Sequence, residues 1–370
     1  MKSELVHGDN STVLAARART LADRVKLAYL DPPYNTGRKF AEYTDREDPA
    51  AWARSLGALA RRIHPMLRDD GALVAEIDDT ELGSLLVVLD AVFGRENRLP
   101  IVTVVRSAAT GHKAKNRGPV NVADYLLLYA KDKKKLRPAP LVRVRDRYDD
   151  AYRTWLENPD DDPSAWRFST LVRAYRRAHG RAADRSAIHR FALDHAEHVV
   201  RFAQPRYEAI AKAAQRLVDR SRKAPERVFV LERPGHPALI LRGGNRLLRL
   251  RDKVRIVDGE PRLVEPLTNV WDDIGFQGIA REGGVTFSRN KKPEKLMERI
   301  LAMFTTDGDL VLDPYAGSGT TLAVAARMNR RWLGIEREST LVDLCRTRLG
   351  AILKDDAPPS IPSRPHRRRV

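Results

Sequence analysis

The sequence predicts an α/β protein whose doubly wound sheet is split along the chain by an inserted α+β region. Three observations lead to this prediction. Strand and helix patterns alternate over residues 1–130 and again over residues 266–356, residues 131–265 lose that regularity, and loops containing glycine follow two of the predicted strands. Residues 357–370 are rich in Pro and Arg, so we expect a disordered basic tail there.

The first half of the sheet carries strand patterns over Val25–Leu30, Gly71–Asp78 and Asp124–Ala130. Helix patterns cover Trp52–Leu67, with apolar residues at spacings of three and four, and Leu82–Phe93. Because strands that alternate with helices favour parallel pairing, we expect a parallel sheet with helices on both faces.

The insert begins with a lysine-rich run and then becomes helical from Trp166 to about Arg220. Short β-like runs follow over Arg227–Leu231, Ala238–Leu241 and Lys253–Val257. This mixture predicts an α+β region without the regular alternation of the flanking halves.

The second half returns to alternating patterns. Pro293 is predicted at the first position of a helix that repeats apolar residues every four positions. The remaining elements are a strand over Asp309–Leu312, a helix over Thr320–Asn329, a strand over Arg331–Glu336 and a final helix over Leu341–Leu353.

The positive charge of the chain is concentrated in two segments. The net charge is +18, of which residues 131–265 contribute a surplus of 13 and the segment Ile361–Val370 a surplus of 4. A genome rich in G and C would favour Arg everywhere, but it would not confine the excess to two segments. Double-stranded DNA is therefore the expected partner.

Several other classes of protein are disfavoured. The single cysteine, Cys345, excludes an internal disulfide, and we expect it to be a core residue of the last helix. The histidines of the insert lack a His-Glu-x-x-His arrangement, so we assign no metal site. No apolar run suits a signal peptide or a membrane span, and we expect a cytoplasmic protein without a membrane segment.

A loop that follows the Asp309–Leu312 strand has the features of a cofactor site. Gly317 and Gly319 let the backbone approach a ligand, and the next helix offers free N–H groups to a carboxylate. Asp313 can face an ammonium group, and Glu336, 23 residues later, can hold ribose hydroxyls. These features predict S-adenosylmethionine. NAD is the alternative, disfavoured because a third glycine is missing and an acid precedes the loop.

The loop after the Val25–Leu30 strand has the features of a catalytic site for an exocyclic base amine. Such an amine is a weak nucleophile, and its N–H groups need acceptors while the nitrogen becomes tetrahedral. The Asp31 carboxylate and the Pro32 carbonyl can supply them, with Pro32 and Pro33 fixing the backbone and Tyr34 stacking on a base that has left the duplex. A rigid turn without catalytic function is the alternative.

Together these motifs resemble the β-class DNA adenine-N6 methyltransferases, especially the modification subunits of type III restriction systems. Asp31–Gly37 is similar to their catalytic motif and Leu312–Thr321 to their cofactor loop. His7–Asn10 is similar to a segment that contacts the cofactor adenine, and Lys292–Leu296 to the segment before the cofactor loop. Further similarity lies in Leu67–Glu81, Phe93–Asn97 and Trp271–Ile274.

The resemblance implies a Rossmann-like methyltransferase sheet with a circularly permuted motif order, in which residues 1–130 are the catalytic half, 131–265 recognise the DNA target and 266–356 bind the cofactor. It implies that Asp31, Pro32, Pro33 and Tyr34 are catalytic. The implied cofactor-binding residues are Asp9, Asn10, Lys292, Pro293, Asp313, Pro314, Ala316, Gly317, Ser318, Gly319, Thr320 and Glu336.

The function that follows is a site-specific, adenine-specific DNA methyltransferase of a restriction-modification, defence or epigenetic system. The acidic residue at Asp31, where cytosine-N4 enzymes usually have Ser, favours adenine. A cytosine-N4 enzyme, an enzyme acting on RNA or on protein glutamine, and a catalytically silent DNA-binding regulator are the alternatives. A second copy of the chain and a restriction subunit are candidate partners, although a solitary enzyme fits the length equally well.

Overall fold

The computed structural model describes residues 2–36, 47–108, 118–180, 184–285 and 291–355. The contacts divide the chain into a core unit, residues 1–141 with 268–370, and an inserted unit, residues 142–267. The predicted basic tail and Gly37 lie outside the described residues. No helix in the described part of the chain has the length and apolar character needed to span a bilayer.

The strands in chain order are β1 Glu4–His7, β2 Val25–Leu30, β3 Leu67–Ile77, β4 Val102–Val105, β5 Ala123–Ala130, β6 Val142–Val144, β7 Thr154–Leu156, β8 Phe168–Thr170, β9 Val199–Ala203, β10 Val228–Arg233, β11 His236–Arg242, β12 Asn245–Arg249, β13 Val254–Val257, β14 Glu260–Pro266, β15 Val270–Trp271, β16 Leu310–Asp313 and β17 Arg331–Glu336. The helices are α1 Asn10–Ala16, α2 Ala18–Leu21, α3 Pro49–Ile63, α4 Leu82–Phe93, α5 Leu171–His179, α6 Arg185–Asp194, α7 Lys212–Lys223, α8 Glu294–Phe304, α9 Thr320–Arg327 and α10 Ser339–Asp355.

The core unit is built on an eight-stranded sheet in the order β1-β17-β16-β2-β3-β5-β4-β15. The five neighbours from β1 to β3 run parallel, whereas β5 is antiparallel to both β3 and β4. The expectation of a fully parallel sheet is therefore wrong at β5. Strands that follow one another directly can pair antiparallel without a crossover helix, as β4 and β5 do.

Helices cover the sheet on both faces, as predicted. Val25, Ala28 and Leu30 of β2 pack in one apolar cluster with buried residues of α3 and α4. Successive side chains of a strand alternate between faces, so Leu27 and Tyr29 point to the other side, where α8 lies against β2. The doubly wound α/β architecture is confirmed.

The helix predicted over Trp52–Leu67 is α3, but it ends at Ile63, and Leu67 opens β3. Asp48 caps its first turn by accepting a hydrogen bond from the Ala51 N–H at 2.8 Å. Pro293 is the N-cap of α8, with ψ at 138°, and not its first helical residue. A shift of one residue at a helix end is within what local patterns can define.

The inserted unit is the α+β region that the sequence predicts, with a six-stranded sheet in the order β10-β11-β12-β9-β7-β8 and a three-stranded sheet in the order β13-β14-β6. The helical stretch expected from Trp166 to Arg220 is wrong, since β8, α5, α6, β9 and α7 share it. Gly180, in the left-handed region at φ 67°, ends α5, and the β-branched pair Val199 and Val200 enters the sheet as β9.

The inserted unit also begins later than the residue 131 expected. Lys131 lies 2.5 Å from Asp23, and Lys135 lies 2.6 Å from Asp69, so the lysine run packs on the core unit. The surplus charge of residues 142–267 is accordingly 9, from 27 basic and 18 acidic residues.

Candidate functional site

The functional residues of the core unit collect at one edge of its sheet. Asp313 ends β16, Glu336 ends β17 and Asp31 follows β2, and these strands are parallel neighbours, so their carboxyl ends meet. Asp124 reaches the same edge because β5 runs in the opposite direction. The edge between β16 and β2 is where the strand order reverses, which is the usual ligand crevice of a doubly wound sheet.

The Asp31–Tyr34 loop is held by contacts outside the motif. The Trp52 indole N–H donates to the Pro33 carbonyl at 2.8 Å, which occupies that acceptor. Asn35 takes the left-handed conformation at φ 57° and donates to Glu81 Oε1 at 2.9 Å. Within the described residues no hydrogen bond reaches the Pro32 carbonyl, which leaves it available as an acceptor beside Asp31.

Lys292 lies against this loop in a buried cluster of charges. Its Nζ is 3.0 Å from Asp31 Oδ1, 3.0 Å from Glu76 Oε1 and 2.5 Å from the Tyr34 hydroxyl. Glu76 is 0% exposed and accepts a 2.5 Å hydrogen bond from the Tyr29 hydroxyl. The resemblance groups Lys292 with the cofactor-binding residues, and the structure brings it to the catalytic loop.

Burial and the neighbouring charges shift the pKa values of this cluster. Burial raises the pKa of Asp31 to about 6, against the opposing effect of the Lys292 ammonium. Burial likewise raises the pKa of Asp124 to about 7. Burial disfavours the charge of Lys292, but the nearby carboxylates outweigh it and raise the pKa of Lys292 above its usual value. The cluster therefore has more carboxylates than cations.

The Asp313–Thr321 loop is pinned by hydrogen bonds to its neighbours in the sheet. Glu336 accepts from the Gly317 N–H at 2.8 Å and from the Glu338 N–H at 2.9 Å. Asn10 donates to the Pro314 carbonyl at 3.2 Å, which ties the turn after β1 to the loop. The Asp9 carboxylate is committed to capping α1, where it accepts from the Thr12 N–H at 2.9 Å.

The two glycines of the loop have different roles. Both lie in the left-handed region, with φ 52° at Gly317 and 76° at Gly319. A Cβ on Gly317 would meet only the Tyr315 carbonyl oxygen, at 3.8 Å, whereas a Cβ on Gly319 would lie 2.5 Å from Cys345 Sγ. Gly317 therefore leaves space for a ligand, and Gly319 is required for packing against α10. The sequence-based expectation that both open the loop holds only for Gly317.

Asp313 tests whether this loop suits a cationic cofactor. The residue is 2% exposed, and burial raises its pKa to about 7 despite hydrogen bonds from Thr321 and from the Tyr315 N–H. None of the Lys and Arg side chains that the structure describes forms an ion pair with it. A buried carboxylate without a protein cation fits a ligand that carries positive charge, as S-adenosylmethionine does.

Ser318, Thr320 and Pro293 reach the site through a buried arginine. Arg348 of α10 is fully buried and donates to the Thr320 hydroxyl at 2.8 Å and to the Ser318 carbonyl at 3.3 Å, and it pairs with Glu294, which follows Pro293. Ala316 is also buried and donates its N–H to the Ile335 carbonyl at 3.0 Å. These contacts give the loop a fixed shape.

The residues that sequence reasoning missed are Tyr29, Trp52, Glu76, Asp124 and Arg348. Two of them carry a signal that could have been used. Glu76 interrupts the apolar run of β3, and Arg348 lies on the apolar face of α10 between Cys345 and Leu349. A charged residue is rarely fully buried without a partner, so each interruption marks a specific contact.

The comparisons with known proteins address the family directly. The family described as DNA methylase, which comprises N6- and N4-methylating enzymes, matches residues 25–346. The chain belongs to this DNA methylase family. The match includes both loops and the whole inserted unit. The family uses S-adenosylmethionine as its cofactor.

Two curated relatives extend over most of the chain. A protein of Haemophilus influenzae, named as a probable type III restriction-modification enzyme HindVI Mod subunit, is 24% identical over 94% of this chain and 50% of its own length. The type II methyltransferase M.EcaI of Enterobacter cloacae is 28% identical over 91% of this chain and 67% of its own length. The chain thus spans about half the length of the Mod subunit.

Solved structures with a similar fold cover a comparable share of the chain. A DNA modification methylase of Thermus thermophilus complexed with S-adenosyl-L-methionine is 18% identical, covers 94% of this chain and 95% of its own, and has a TM-score of 0.45. The cytosine-N4-specific PvuII DNA methyltransferase is 13% identical, covers 96% of this chain and 91% of its own, and has a TM-score of 0.48.

Proposed function

We propose that this chain transfers a methyl group from S-adenosylmethionine to an exocyclic amine of a DNA base, and that the amine is N6 of adenine. The observation that carries the proposal is the pair of acceptors at the catalytic loop. Asp31 offers a carboxylate and Pro32 an unoccupied carbonyl, next to a buried aromatic hydroxyl from Tyr34.

The acceptor pair supports chemistry at an amine with two N–H groups. Asp31 takes one N–H and the Pro32 carbonyl the other, which directs the nitrogen lone pair away from the ring. The Trp52 bond to Pro33 holds the backbone in place, so little reorganisation is needed during the reaction. The Asp31 carboxylate can also accept the proton that the nitrogen loses.

The cofactor loop supports binding of the methyl donor. When bound, S-adenosylmethionine supplies a methyl group on a positively charged sulfur. Asp313 would hold the ammonium group, Glu336 the ribose hydroxyls, and Gly317 would let the backbone lie close to the ligand. The N-terminus of α9 would face the carboxylate.

Adenine is the proposed base because the first residue of the catalytic motif is Asp31. Cytosine-N4 methylation would use the same acceptors and is the alternative outcome of the experiment below. Similarity to a Mod subunit supports a role in restriction-modification, with a restriction subunit or a second copy of this chain as further proposed partners.

The inserted unit supports double-stranded DNA as the partner. A cleft of about 610 Å³ in this unit is lined by Arg145, Arg246, Arg249 and Lys253, and none of these four forms an ion pair with a described carboxylate. The Arg249 guanidinium also lies 4.9 Å from the ring centroid of Trp166. Unpaired cations beside aromatic rings suit phosphates and bases.

The experiment is single-molecule sequencing of DNA from cells that express the wild-type chain or the Asp31→Ala variant. We expect N6-methyladenine at one short sequence motif with the wild type and none with the variant. N4-methylcytosine at a motif would overturn the choice of base. Unmodified DNA in vivo, together with no methyl transfer from labelled cofactor to mixed DNA in vitro, would overturn the proposed activity.

A further inference from the structure

Lys292 connects the segment before the cofactor loop to the catalytic loop. We infer that Lys292 is a positioning residue for methyl transfer: its ammonium, anchored by Glu76, keeps Asp31 ionised and holds its carboxylate toward the target amine. This inference rests on the proposed function and assigns Lys292 a role other than contacting the cofactor.

The hydrogen-bonding capacity of Lys292 is already used. An ammonium group has three N–H donors, and Lys292 faces Asp31 at 3.0 Å, Glu76 at 3.0 Å and the Tyr34 hydroxyl at 2.5 Å. Its Nζ also lies 4.8 Å from the centroid of the Tyr34 ring. A cofactor or a DNA phosphate could bind this ammonium only by displacing one of the three contacts.

Glu76 fixes Lys292 from within the sheet. Its carboxylate is fully buried on β3, with one oxygen bonded to the Tyr29 hydroxyl of β2 at 2.5 Å and the other facing Lys292. A buried ion pair contributes little net stability compared with apolar residues of similar volume. Its position beneath the catalytic loop therefore suggests a functional reason for burying both charges.

The surroundings of Asp31 require a cation if the carboxylate is to stay ionised. The titratable groups that act on Asp31 from the elements packed around it are Lys292, Glu76, Tyr34, Tyr29, Asp124, Arg106 and Asp313. Arg106 is engaged with Asp124 at 3.1 Å, which leaves Lys292 as the cation in contact with Asp31 among the described residues. A protonated Asp31 would offer an O–H where the amine needs an acceptor.

The same lysine is tied to the cofactor loop through its neighbours in the chain. Glu294, two residues later, pairs with Arg348, which donates to the Thr320 hydroxyl at 2.8 Å. The position of Lys292, and through it that of Asp31, is thus mechanically connected to the loop that holds the cofactor.

The test compares Lys292→Gln, Lys292→Arg and Glu76→Gln with the wild type, each checked for folding by its melting temperature. Methyl-transfer kcat is measured from pH 5 to 9 at saturating cofactor and DNA, and cofactor Kd by calorimetry. For Lys292→Gln we expect kcat at pH 7 to fall at least about tenfold, with its acidic limb moved to higher pH and Kd within about threefold of wild type. Lys292→Arg should restore part of kcat.

Glu76→Gln gives a displacement of opposite sign. Glu76 raises the pKa of Asp31 and Lys292 lowers it, so removing the Glu76 charge should move the acidic limb to lower pH while kcat falls at every pH. A purely structural role for the cluster would lower kcat in both variants without moving the limb in opposite directions.

A second measurement does not depend on activity. Carbon-13 NMR of the Asp carboxyl carbons, with the Asp31 signal identified by its loss in Asp31→Asn, should show Asp31 titrating near pH 6 in the wild type and higher in Lys292→Gln. An unchanged titration, or a loss of cofactor affinity with normal kcat in Lys292→Gln, would overturn the inference. Failure of the wild type to methylate DNA would instead overturn the proposed function.

Discussion

Asp31 and Asp313 are the two carboxylates at the switch point of the sheet, and they differ in their neighbours. Asp31 keeps 23% of its side chain exposed and is paired with Lys292. Asp313 is nearly fully buried and has no ion-pair partner in the described part of the chain. Asp31 is thus prepared to accept a hydrogen bond from the target amine, and Asp313 to bind a cation, so substitutions of the two should have separable effects.

Asp31→Ala should abolish methyl transfer while cofactor affinity stays within a few-fold of wild type. Loss of a contact made in the transition state costs on the order of 10²-fold in rate or more. Tritiated methyl transfer and calorimetry measure the two quantities, with Asp69→Ala on an exposed part of β3 as the control. Activity above roughly a tenth of wild type would contradict the role of Asp31.

Asp313 predicts that cofactor binding depends on pH. Its pKa in the free protein is about 7, so below that pH the carboxyl is protonated and must release its proton when a cation binds beside it. Affinity should therefore rise with pH up to about 7 and then level off.

Calorimetry in buffers of different ionisation enthalpy should detect the proton released below that pH. Asp313→Asn should bind weakly and without this pH dependence. An Asp313→Asn protein that keeps the wild-type profile would show that the ammonium group lies elsewhere.

At the scale of secondary-structure elements, the turn between β16 and α9 separates ligand space from packing. Gly317 faces open space, and Gly319 is pressed against α10. The two positions have the same backbone requirement, so alanine at either one carries a similar conformational cost of about 1–2 kcal/mol. Any further effect reports what the missing Cβ would have touched.

Gly319→Ala should lower the free energy of unfolding by about 2–4 kcal/mol, because overlap with Cys345 adds to the backbone cost. Gly317→Ala should lose only about 1–2 kcal/mol yet weaken cofactor binding. Urea denaturation and calorimetry measure the two effects.

Adding Cys345→Ala to Gly319→Ala should restore part of the lost stability, since it removes the sulfur that lies 2.5 Å from the added Cβ. Equal stability of the two glycine variants, with no rescue by Cys345→Ala, would contradict this division between ligand space and packing.

At the scale of the whole molecule, a compact unit of excess positive charge is inserted between the two halves of the sheet. The surplus of 9 in residues 142–267 predicts a strong salt dependence of DNA binding, since each phosphate contact changes the slope of log K against log salt by roughly 0.9. The cleft lined by Arg246 and Lys253 is the first place to test it.

Arg246→Gln and Lys253→Gln should each weaken binding of cognate and scrambled duplexes alike and reduce the salt slope by about one. Lys223→Gln, at the end of α7 and outside the cleft, is the matched control. Fluorescence anisotropy across a salt series gives the slopes. A change in the ratio between the two duplexes would mean that these side chains read bases.

Deleting Ser363–Val370 should likewise lower affinity for all sequences equally, because a basic tail that contacts only phosphates carries no sequence information. Replacing residues 142–267 by a flexible linker should abolish sequence-specific binding while cofactor binding remains. Specific binding that survives this replacement would place target recognition in the core unit.

The sequence alone determined the features that depend on short stretches of chain. The apolar run of β2, the helical spacing of α3 and α8, and the two loop motifs each involve only a few residues, so local patterns identify them. The doubly wound fold, the family and its cofactor followed from those motifs and from their order. The excess of basic residues in the insert was equally visible.

Only the tertiary structure decided which distant residues meet. Tyr34 and Lys292 are separated by 258 positions, and Tyr29 and Glu76 by 47, so no periodicity links them. The reversal of β5, the start of the inserted unit at residue 142 and the packing of Gly319 on Cys345 have the same origin. Each depends on pairing across the sheet or between helices, and that pairing is selected by burial and complementary charge in the folded chain and not by neighbouring residues.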